Sequence, residues 1–202
     1  MTKIHFAIPI PTFIETIILY FLLRYRKKKY GYPFRKIELT KGKFAKVDPE
    51  DFDTLSKFSW FVSAGTHSFY AYRSISVFGK SRAIAMHRQV KNVFDPLVFI
   101  DHINHDGLDN RKANLRLATV SQNNCNRRRR PDAGRSKYRG IDYDKGINKW
   151  RARIRFKNER ILLGYFDSEE DAAHTYDKAA ILYHGEFAML NFPNDPLTKT
   201  LI

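Results

Sequence analysis

The order of apolar and polar positions predicts mostly short strands in the first half of the chain. Residues 36–94 contain runs rich in β-branched and aromatic side chains, broken by turn residues, with Gly79 at a hairpin turn. This pattern indicates a small antiparallel sheet. Apolar spacing over residues 86–94 then predicts a short helix, which the Asp95-Pro96 pair ends.

A strand, a polar loop and a second strand are predicted within residues 98–118. The apolar run over residues 98–100 brings Asp101 and His102 to a strand end, and Leu115 and Leu117 return the chain to the core.

A helix is predicted to begin directly after the second strand. Thr119 with Gln122 three residues later has the spacing of a capping box, so the helix should start near Val120. Asn123 then falls in its first turn or just beyond.

Three further strands are predicted at residues 138–144, 149–156 and 160–166. The middle one alternates strictly, with Trp150, Ala152, Ile154 and Phe156 on one face and Arg151, Arg153 and Arg155 on the other. Three arginines on one sheet face are costly unless an anion meets them. Core packing is the favoured role for Trp150.

A helix is predicted from the cap residue Ser168 to about His184. Acidic residues at 169–171 are favourable at a helix N-terminus, and alanines let the helix pack close to the sheet.

The excess of positive charge indicates a polyanionic partner. Lysine and arginine outnumber aspartate and glutamate by 36 to 21, and residues 127–160 hold fourteen basic against four acidic residues, +10 of the net +15. Such a stretch suits nucleic acid or an anionic membrane, although a solvated surface is the alternative. A single cysteine, Cys125, excludes an internal disulfide and indicates a reducing compartment.

The N-terminal region leaves three interpretations open. Residues 4–23 are apolar and a basic run follows, as in a membrane anchor, but Pro9, Pro11 and Glu15 weaken that reading. An added helix or a mis-assigned start codon explains the segment equally well.

Asp101, His102 and Asn123 are candidates for phosphodiester hydrolysis. That reaction needs a base to activate water and a cation to neutralise charge on the phosphate and the departing oxygen. Aspartate and asparagine oxygens suit Mg²⁺ or Mn²⁺. An isolated Asp-His pair is usually a loop feature, and the asparagines could be turn formers.

The order of these residues resembles the HNH endonuclease family, particularly phage and intron-encoded homing enzymes. The motif is Asp101-His102, Asn114-Leu115-Arg116, Thr119 and Asn123, and the resemblance covers roughly residues 36–127. It implies a ββα-metal core with His102 as general base and Asn114 fixing the loop. Asp101 and Asn123 would be the ligands of Mg²⁺ or Mn²⁺, and Arg116 a DNA contact. Asn123 replaces the histidine of many members, which shifts metal preference more than it removes activity.

Residues 136–193 contain a series of short motifs in a fixed order: Tyr138-Arg139-Gly140, Trp150-Arg151-Ala152-Arg153-Ile154, Leu163-Gly164-Tyr165-Phe166, Glu170-Asp171-Ala172-Ala173, Tyr176-Asp177, Ala179-Ala180 and Leu190-Asn191-Phe192-Pro193. This series resembles the APETALA2/ethylene-response-factor DNA-binding domain. The resemblance implies that the three-stranded sheet enters the major groove, with Arg139, Arg151, Arg153, Arg155 and Arg160 as DNA contacts and DNA contact as the alternative role for Trp150. Asp142 stands where plant members usually have a basic residue, and the second tryptophan of the first-strand turn is absent, so the plant sequence preference is not carried over.

We therefore expect an α+β protein: a ββα-metal nuclease core with a small antiparallel sheet, and a three-stranded antiparallel sheet packed on one helix. The expected divisions are an N-terminal extension (1–34), a nuclease domain (35–127), a basic linker (128–136), a DNA-binding domain (137–193) and a tail (194–202).

The expected function is that of a metal-dependent endonuclease of homing or mobile-element type, acting on double-stranded DNA in the cytoplasm of a bacterial or phage-infected cell. We expect a monomer or weak dimer with no small-molecule cofactor; a membrane is not the expected partner, although the N-terminal anchor stays open as an alternative. The competing interpretation is a non-catalytic DNA-binding regulator built on a decayed nuclease core. His87 and His105 are interpreted as structural or DNA-backbone contacts.

Overall fold

The computed structural model describes residues 12–65, 68–125, 136–157 and 159–195. The chain forms two compact units. The first comprises Met1–Phe94 and His102–Arg116, and the second comprises Asp95–Asp101 and Leu117–Ile202. Helices and small antiparallel sheets are mixed along the sequence, which confirms the α+β class.

The N-terminal apolar run continues into a helix. Helix α1 spans Thr12–Tyr30, has no buried residue and carries three lysines in its last turn. Residues 1–11 lie outside the described residues, and the later part of the apolar run is helical. Within the described ranges no helix combines the length and apolar character needed to cross a membrane.

Two small sheets, rather than the one that was predicted, build the rest of the first unit. The prediction of a single sheet was wrong: β1 and β2 form a two-stranded sheet of their own, and a helical segment at residues 49–55 separates them from β3. A core containing Val47, Trp60 and Met86 lies beneath them. The elements are β1 (Arg35–Glu38), β2 (Phe44–Val47), α2 (Phe52–Leu55), β3 (Phe61–Ala64), β4 (Phe69–Val77), β5 (Lys80–Ala85) and α3 (Met86–Lys91), with sheet order β3-β4-β5.

The motif segment has the predicted order of strand, loop, strand and helix. Strand β6 (Phe99–His102) pairs with β7 (Leu115–Ala118), and α4 (Val120–Cys125) follows. The capping box is formed in both directions. The backbone N–H of Thr119 donates to Oε1 of Gln122 at 2.8 Å, and the N–H of Gln122 donates to Oγ1 of Thr119 at 3.2 Å.

A three-stranded antiparallel sheet packed on one helix forms the C-terminal part, as predicted. Its elements are β8 (Ile141–Asp144), β9 (Lys149–Phe156), β10 (Glu159–Phe166) and α5 (Glu169–His184), in sheet order β10-β9-β8. Ala152 and Ile154 of β9 are buried against alanines of α5, and Trp150 packs at the edge of this core. Ser168 caps α5 by accepting from the N–H groups of Glu170 and Asp171.

Candidate functional site

His102 lies at the end of β6 and is almost enclosed, with 6% of its surface exposed. Two rings stand edge-on to its imidazole: the centroid of His87 is 5.2 Å away and that of Tyr70 is 5.8 Å away. Its Nε2 atom lies 3.5 Å from Oδ1 of Asn110, which is fully buried. When Nε2 carries the proton and donates to that oxygen, Nδ1 keeps its lone pair and can accept a proton.

His87, on α3, is held neutral beside His102. Burial, with smaller contributions from the charges of His102 and Arg88, lowers the pKa of His87 to about 3. At neutral pH the ring therefore adds no positive charge next to His102. This packed position favours the structural role over the DNA-backbone contact.

Asn114 holds the loop that follows His102. Asn114 is buried, with 5% of its surface exposed. Its Nδ2 donates to Oδ1 of Asn104 at 3.0 Å and to the carbonyl oxygen of Asp109 at 2.8 Å, while its Oδ1 accepts from the N–H of Asn104 at 3.0 Å. One amide thus ties the start of the loop to its end, immediately before β7.

A buried ion pair forms the centre of the same loop. Arg111 donates through Nε to Oδ1 of Asp109 at 2.8 Å and through Nη2 to Oδ2 at 2.7 Å. The side chain of Asp109 is fully buried, and that of Arg111 is 11% exposed. The Arg111 guanidinium also lies over the ring of Tyr32, 3.2 Å from its centroid. Two parallel charge-assisted hydrogen bonds between buried side chains support the loop rigidly.

Backbone contacts fix the loop to the sheets of the first unit. The N–H of Lys46 in β2 donates to the carbonyl of Leu108, and the N–H of Asn110 donates to the carbonyl of Lys46, both at 2.8 Å. Gly107 passes so close to β4 that an added Cβ would lie 2.5 Å from the carbonyl oxygen of Phe69. Only glycine fits there, because any side chain would displace the strand.

Asp101 and Asn123, the predicted metal ligands, lie on β6 and α4. Asp101 is 7% exposed. Asn123 is half-buried in the first turn of α4, where its N–H donates to the carbonyl of Thr119 at 2.9 Å. Arg116, a predicted DNA contact, is half-buried in β7. The donor chemistry of Asp101 and Asn123, a carboxylate and an amide oxygen, fits a hard divalent cation; their roles remain predictions.

Three acidic side chains away from Asp101 lie close together in the part of the chain that the structure describes. Carboxylate oxygens of Asp48, Glu50 and Asp51 lie within 4.8 Å of one another. Lys112 binds to this group: its Nζ lies 2.8 Å from Oδ1 of Asp51, and its backbone N–H donates to Asp48 at 2.7 Å. The group therefore anchors the chain just ahead of β7.

On the C-terminal sheet, the face away from α5 carries charges of both signs. Asp142 of β8 accepts from Nη2 of Arg151 at 2.6 Å and from Nη2 and Nε of Arg153 at 2.8 and 3.2 Å. Nη1 of Arg151 also donates to Oδ2 of Asp144 at 2.9 Å. Burial alone would raise the pKa of Asp142, but hydrogen bonds and charges from Arg151 and Arg153 lower it.

The other end of this face carries two opposed arginines. Arg155 of β9 and Arg160 of β10 are directly opposite in the strand register, and both are exposed. Like charges at opposed positions destabilise a sheet unless an anion lies between them. This pair is therefore the strongest candidate for a phosphate contact.

Arg139 serves the packing of the domain as well as being a predicted DNA contact. Its N–H donates to Oδ1 of Asn191 at 2.6 Å, and its Nε donates to the hydroxyl of Tyr176 at 3.1 Å. The buried Asp177 accepts from the backbone N–H groups of Asn191 and Phe192, both at 2.8 Å. This network ties the start of the domain to α5 and to the segment after it.

Gly140 explains why β8 begins at Ile141 rather than at residue 138 as predicted. Its φ is +75°, and an added Cβ would lie 2.1 Å from the ring of Tyr176. The chain therefore turns over that ring before it can pair as a strand.

Several residues of the site were not predicted from the sequence: Tyr70, His87, Asn104, Asp109, Asn110 and Arg111 surround His102 or hold its loop. Polar residues in a loop are ordinarily exposed. The run Asp109-Asn110-Arg111 is instead buried, and only the three-dimensional contacts reveal this.

Comparison with known proteins matches both parts of the chain. Residues 97–125 match the HNH endonuclease family model, and residues 136–186 match the AP2 domain model. The chain thus joins a segment similar to HNH endonucleases to a segment similar to the AP2 DNA-binding domain.

Relatives match over part of the chain only. Ethylene-responsive transcription factor WRI1 of Arabidopsis thaliana is 46% identical over 54 residues, 27% of this chain and 13% of that protein. Ethylene-responsive transcription factor ERF024 of the same plant is 49% identical over 59 residues, 28% of this chain and 32% of that protein. APETALA2-like protein 2 of Oryza sativa subsp. indica is 37% identical over 65 residues, 32% and 15% of the two chains. The chain spans at most 32% of the length of these relatives.

Proposed function

We propose that this protein is a metal-dependent DNA endonuclease of the homing or mobile-element type, directed to double-stranded DNA by its AP2 domain. The observation that carries the proposal is the enclosed His102, positioned by Asn110 and by the Asn114-held loop, inside the segment that matches the HNH family.

His102 acts as the general base in this proposal. In the tautomer that carries its proton on Nε2, which lies 3.5 Å from Oδ1 of Asn110, Nδ1 takes a proton from water as that water attacks the phosphorus. His87 is neutral at neutral pH and therefore places no positive charge beside the imidazole of His102. Asn114 holds the loop so that His102 keeps one orientation, which favours proton transfer.

Asp101 and Asn123 are the residues that would hold Mg²⁺ or Mn²⁺. The ion would supply Lewis-acid polarisation of the phosphate and stabilise the departing oxygen. With an amide in place of an imidazole, the donor set favours hard cations over softer transition metals.

The AP2 domain supplies most of the DNA affinity. Its proposed contacts are Arg139, Arg151, Arg153, Arg155 and Arg160, and Arg116 of β7 adds one from the nuclease motif. Contacts to phosphate make binding steeply salt-dependent. With one nuclease motif per chain, a monomer cuts one strand at each encounter. We place this activity in the interior of a bacterial or phage-infected cell.

A DNA-binding regulator without catalysis is the second candidate. Its support is that the relatives of the AP2 domain are named transcription factors. The nuclease proposal accounts in addition for the His102 environment and the buried loop, which a regulator does not need.

Incubation of the purified protein with supercoiled plasmid tests the proposal. With Mg²⁺ or Mn²⁺ we expect open-circular product, which EDTA abolishes and His102→Ala slows by at least 100-fold. Salt-sensitive binding without cleavage, in both metals and on several DNA substrates, would support the regulator instead. Absence of DNA binding would contradict both.

A further inference from the structure

Asp142 gives the basic face of the AP2 sheet an unexpected centre of negative charge. A surface that bound phosphate alone would gain nothing from an aspartate, because it repels the DNA backbone. Here the carboxylate accepts three charge-assisted hydrogen bonds from Arg151 and Arg153. The three side chains are 27%, 26% and 36% exposed, so they can still be reached from solvent.

We propose that Asp142 is a specificity-determining residue, which holds Arg151 and Arg153 as readers of base edges and itself accepts a hydrogen bond from a cytosine amino group. This inference rests on the proposed DNA binding and names the base contact within it. The ligand is a C·G pair presented in the major groove.

Chemistry on both sides supports this match. A C·G pair displays two guanine acceptors, O6 and N7, next to the cytosine N4 amino donor. Arginine offers paired donors for the guanine, and a carboxylate accepts from the cytosine. Asp142 has about four acceptor positions, of which the two arginines take three.

The strand register separates this reading group from a phosphate-binding group. Asp142 is opposite Arg151, whereas Arg155 is opposite Arg160. Between these two ends, Leu162 of β10 is opposite Arg153 and is 50% exposed, so it offers an apolar contact for a thymine methyl group. Base reading and backbone binding thus occupy different ends of one sheet face.

Asp142→Asn is the decisive variant, and Asp167→Asn is its matched control. Asp167 also forms an ion pair with a basic residue, Lys149, but the Asp167 side chain is 88% exposed. Both variants remove one negative charge from the same domain. A preferred site is first selected from a randomised duplex pool with the wild-type protein in EDTA, and each position is then replaced in turn.

We expect the wild type to prefer C·G at one position or more by about 5- to 150-fold over the other pairs. Asp142→Asn should reduce that preference to under threefold and bind random DNA more tightly. Asp167→Asn should keep the wild-type preference. Circular dichroism and Trp150 fluorescence verify that each variant is folded.

Arg151→Lys supplies a second, independent test. It keeps the charge but removes the forked donor, so the C·G preference should fall at the same position with the salt dependence unchanged. The inference is overturned if a folded Asp142→Asn protein retains every base preference or gains affinity equally for all sequences. Either result leaves the proposed function standing. Failure of the wild type to bind DNA would overturn the proposed function together with the inference.

Discussion

The Nδ2 atom of Asn114 donates a hydrogen bond to the carbonyl oxygen of Asp109, 2.8 Å away, and so closes the loop that follows His102. Asn114→Ala leaves this carbonyl and the N–H of Asn104 without their buried partner. We expect the free energy of unfolding of the first unit to fall by about 1 to 3 kcal/mol. Urea denaturation followed by Trp60 fluorescence, in a Trp150→Phe background, measures it.

The same variant should separate catalysis from binding. We expect at least a tenfold loss of the nicking rate, because His102 loses its fixed orientation, with DNA affinity within twofold of wild type. Asn124→Ala, at an exposed position of α4, is the control and should change neither quantity. An Asn114→Ala protein with wild-type stability and rate would contradict the role given to this amide.

The buried pair of Asp109 and Arg111 should make a large contribution to stability when only one partner is altered. Asp109→Asn leaves the Arg111 guanidinium buried without its counter-charge, and we expect a loss of about 3 to 5 kcal/mol. Asp53→Asn breaks the pair with Arg35, in which the aspartate is 85% exposed, and should have little effect. Equal losses in the two variants, measured by urea denaturation, would exclude a special role for the buried pair.

His87 should make the stability of the first unit depend on pH. Above pH 6.5 its ring is neutral in both the folded and the unfolded chain, since its pKa in the folded protein is about 3. As the pH falls below 6.5, His87 binds a proton in the unfolded chain but not in the folded chain. The contribution of His87 to stability is therefore lost between pH 6.5 and about 3.

Between pH 7.5 and pH 5 this group should reduce the free energy of unfolding by about 2 kcal/mol. His87→Phe keeps a ring against Tyr70 and His102 but cannot bind a proton. Over the same pH interval, the free energy of unfolding of this variant should therefore fall by about 2 kcal/mol less than that of the wild type. Urea denaturation at the two pH values gives both differences. Identical pH dependence in the two proteins would show that His87 is not held neutral.

Arg160→Ala tests the phosphate contact at the basic end of the AP2 sheet. We expect weaker binding to every duplex by a similar factor, and a salt dependence, as the slope of log K against log salt, reduced by about 1. Binding titrations on specific and random duplexes at several salt concentrations supply both values. A loss confined to one sequence would assign Arg160 to base reading instead.

Local pattern was sufficient to predict most of the secondary structure. The alternation of β9, the Ser168 cap and the Thr119-Gln122 box each depend on a few neighbouring residues, and each appears in the structure. The division into two small sheets depends on which strands pair, which local pattern does not specify.

The site was predicted only where a linear motif carries it. His102 and Asn114 lie in a motif with defined spacing, whereas His87 reaches His102 from another element. Asp109 and Arg111 are polar neighbours that an isolated sequence places in solvent; their burial results from Tyr32 and β2 closing over the loop. Asp142 stood out as an unusual residue, but its pairing with two arginines needed the strand register.

Paired measurements on one duplex test the central claim most directly: affinity in EDTA, and single-turnover cleavage rate in Mn²⁺, for the wild type and His102→Ala. The account predicts that His102→Ala binds within twofold of the wild type and cleaves at least 100-fold more slowly. A His102→Ala protein that cleaves as fast as the wild type, or a wild type that binds tightly and leaves the duplex intact, would contradict it.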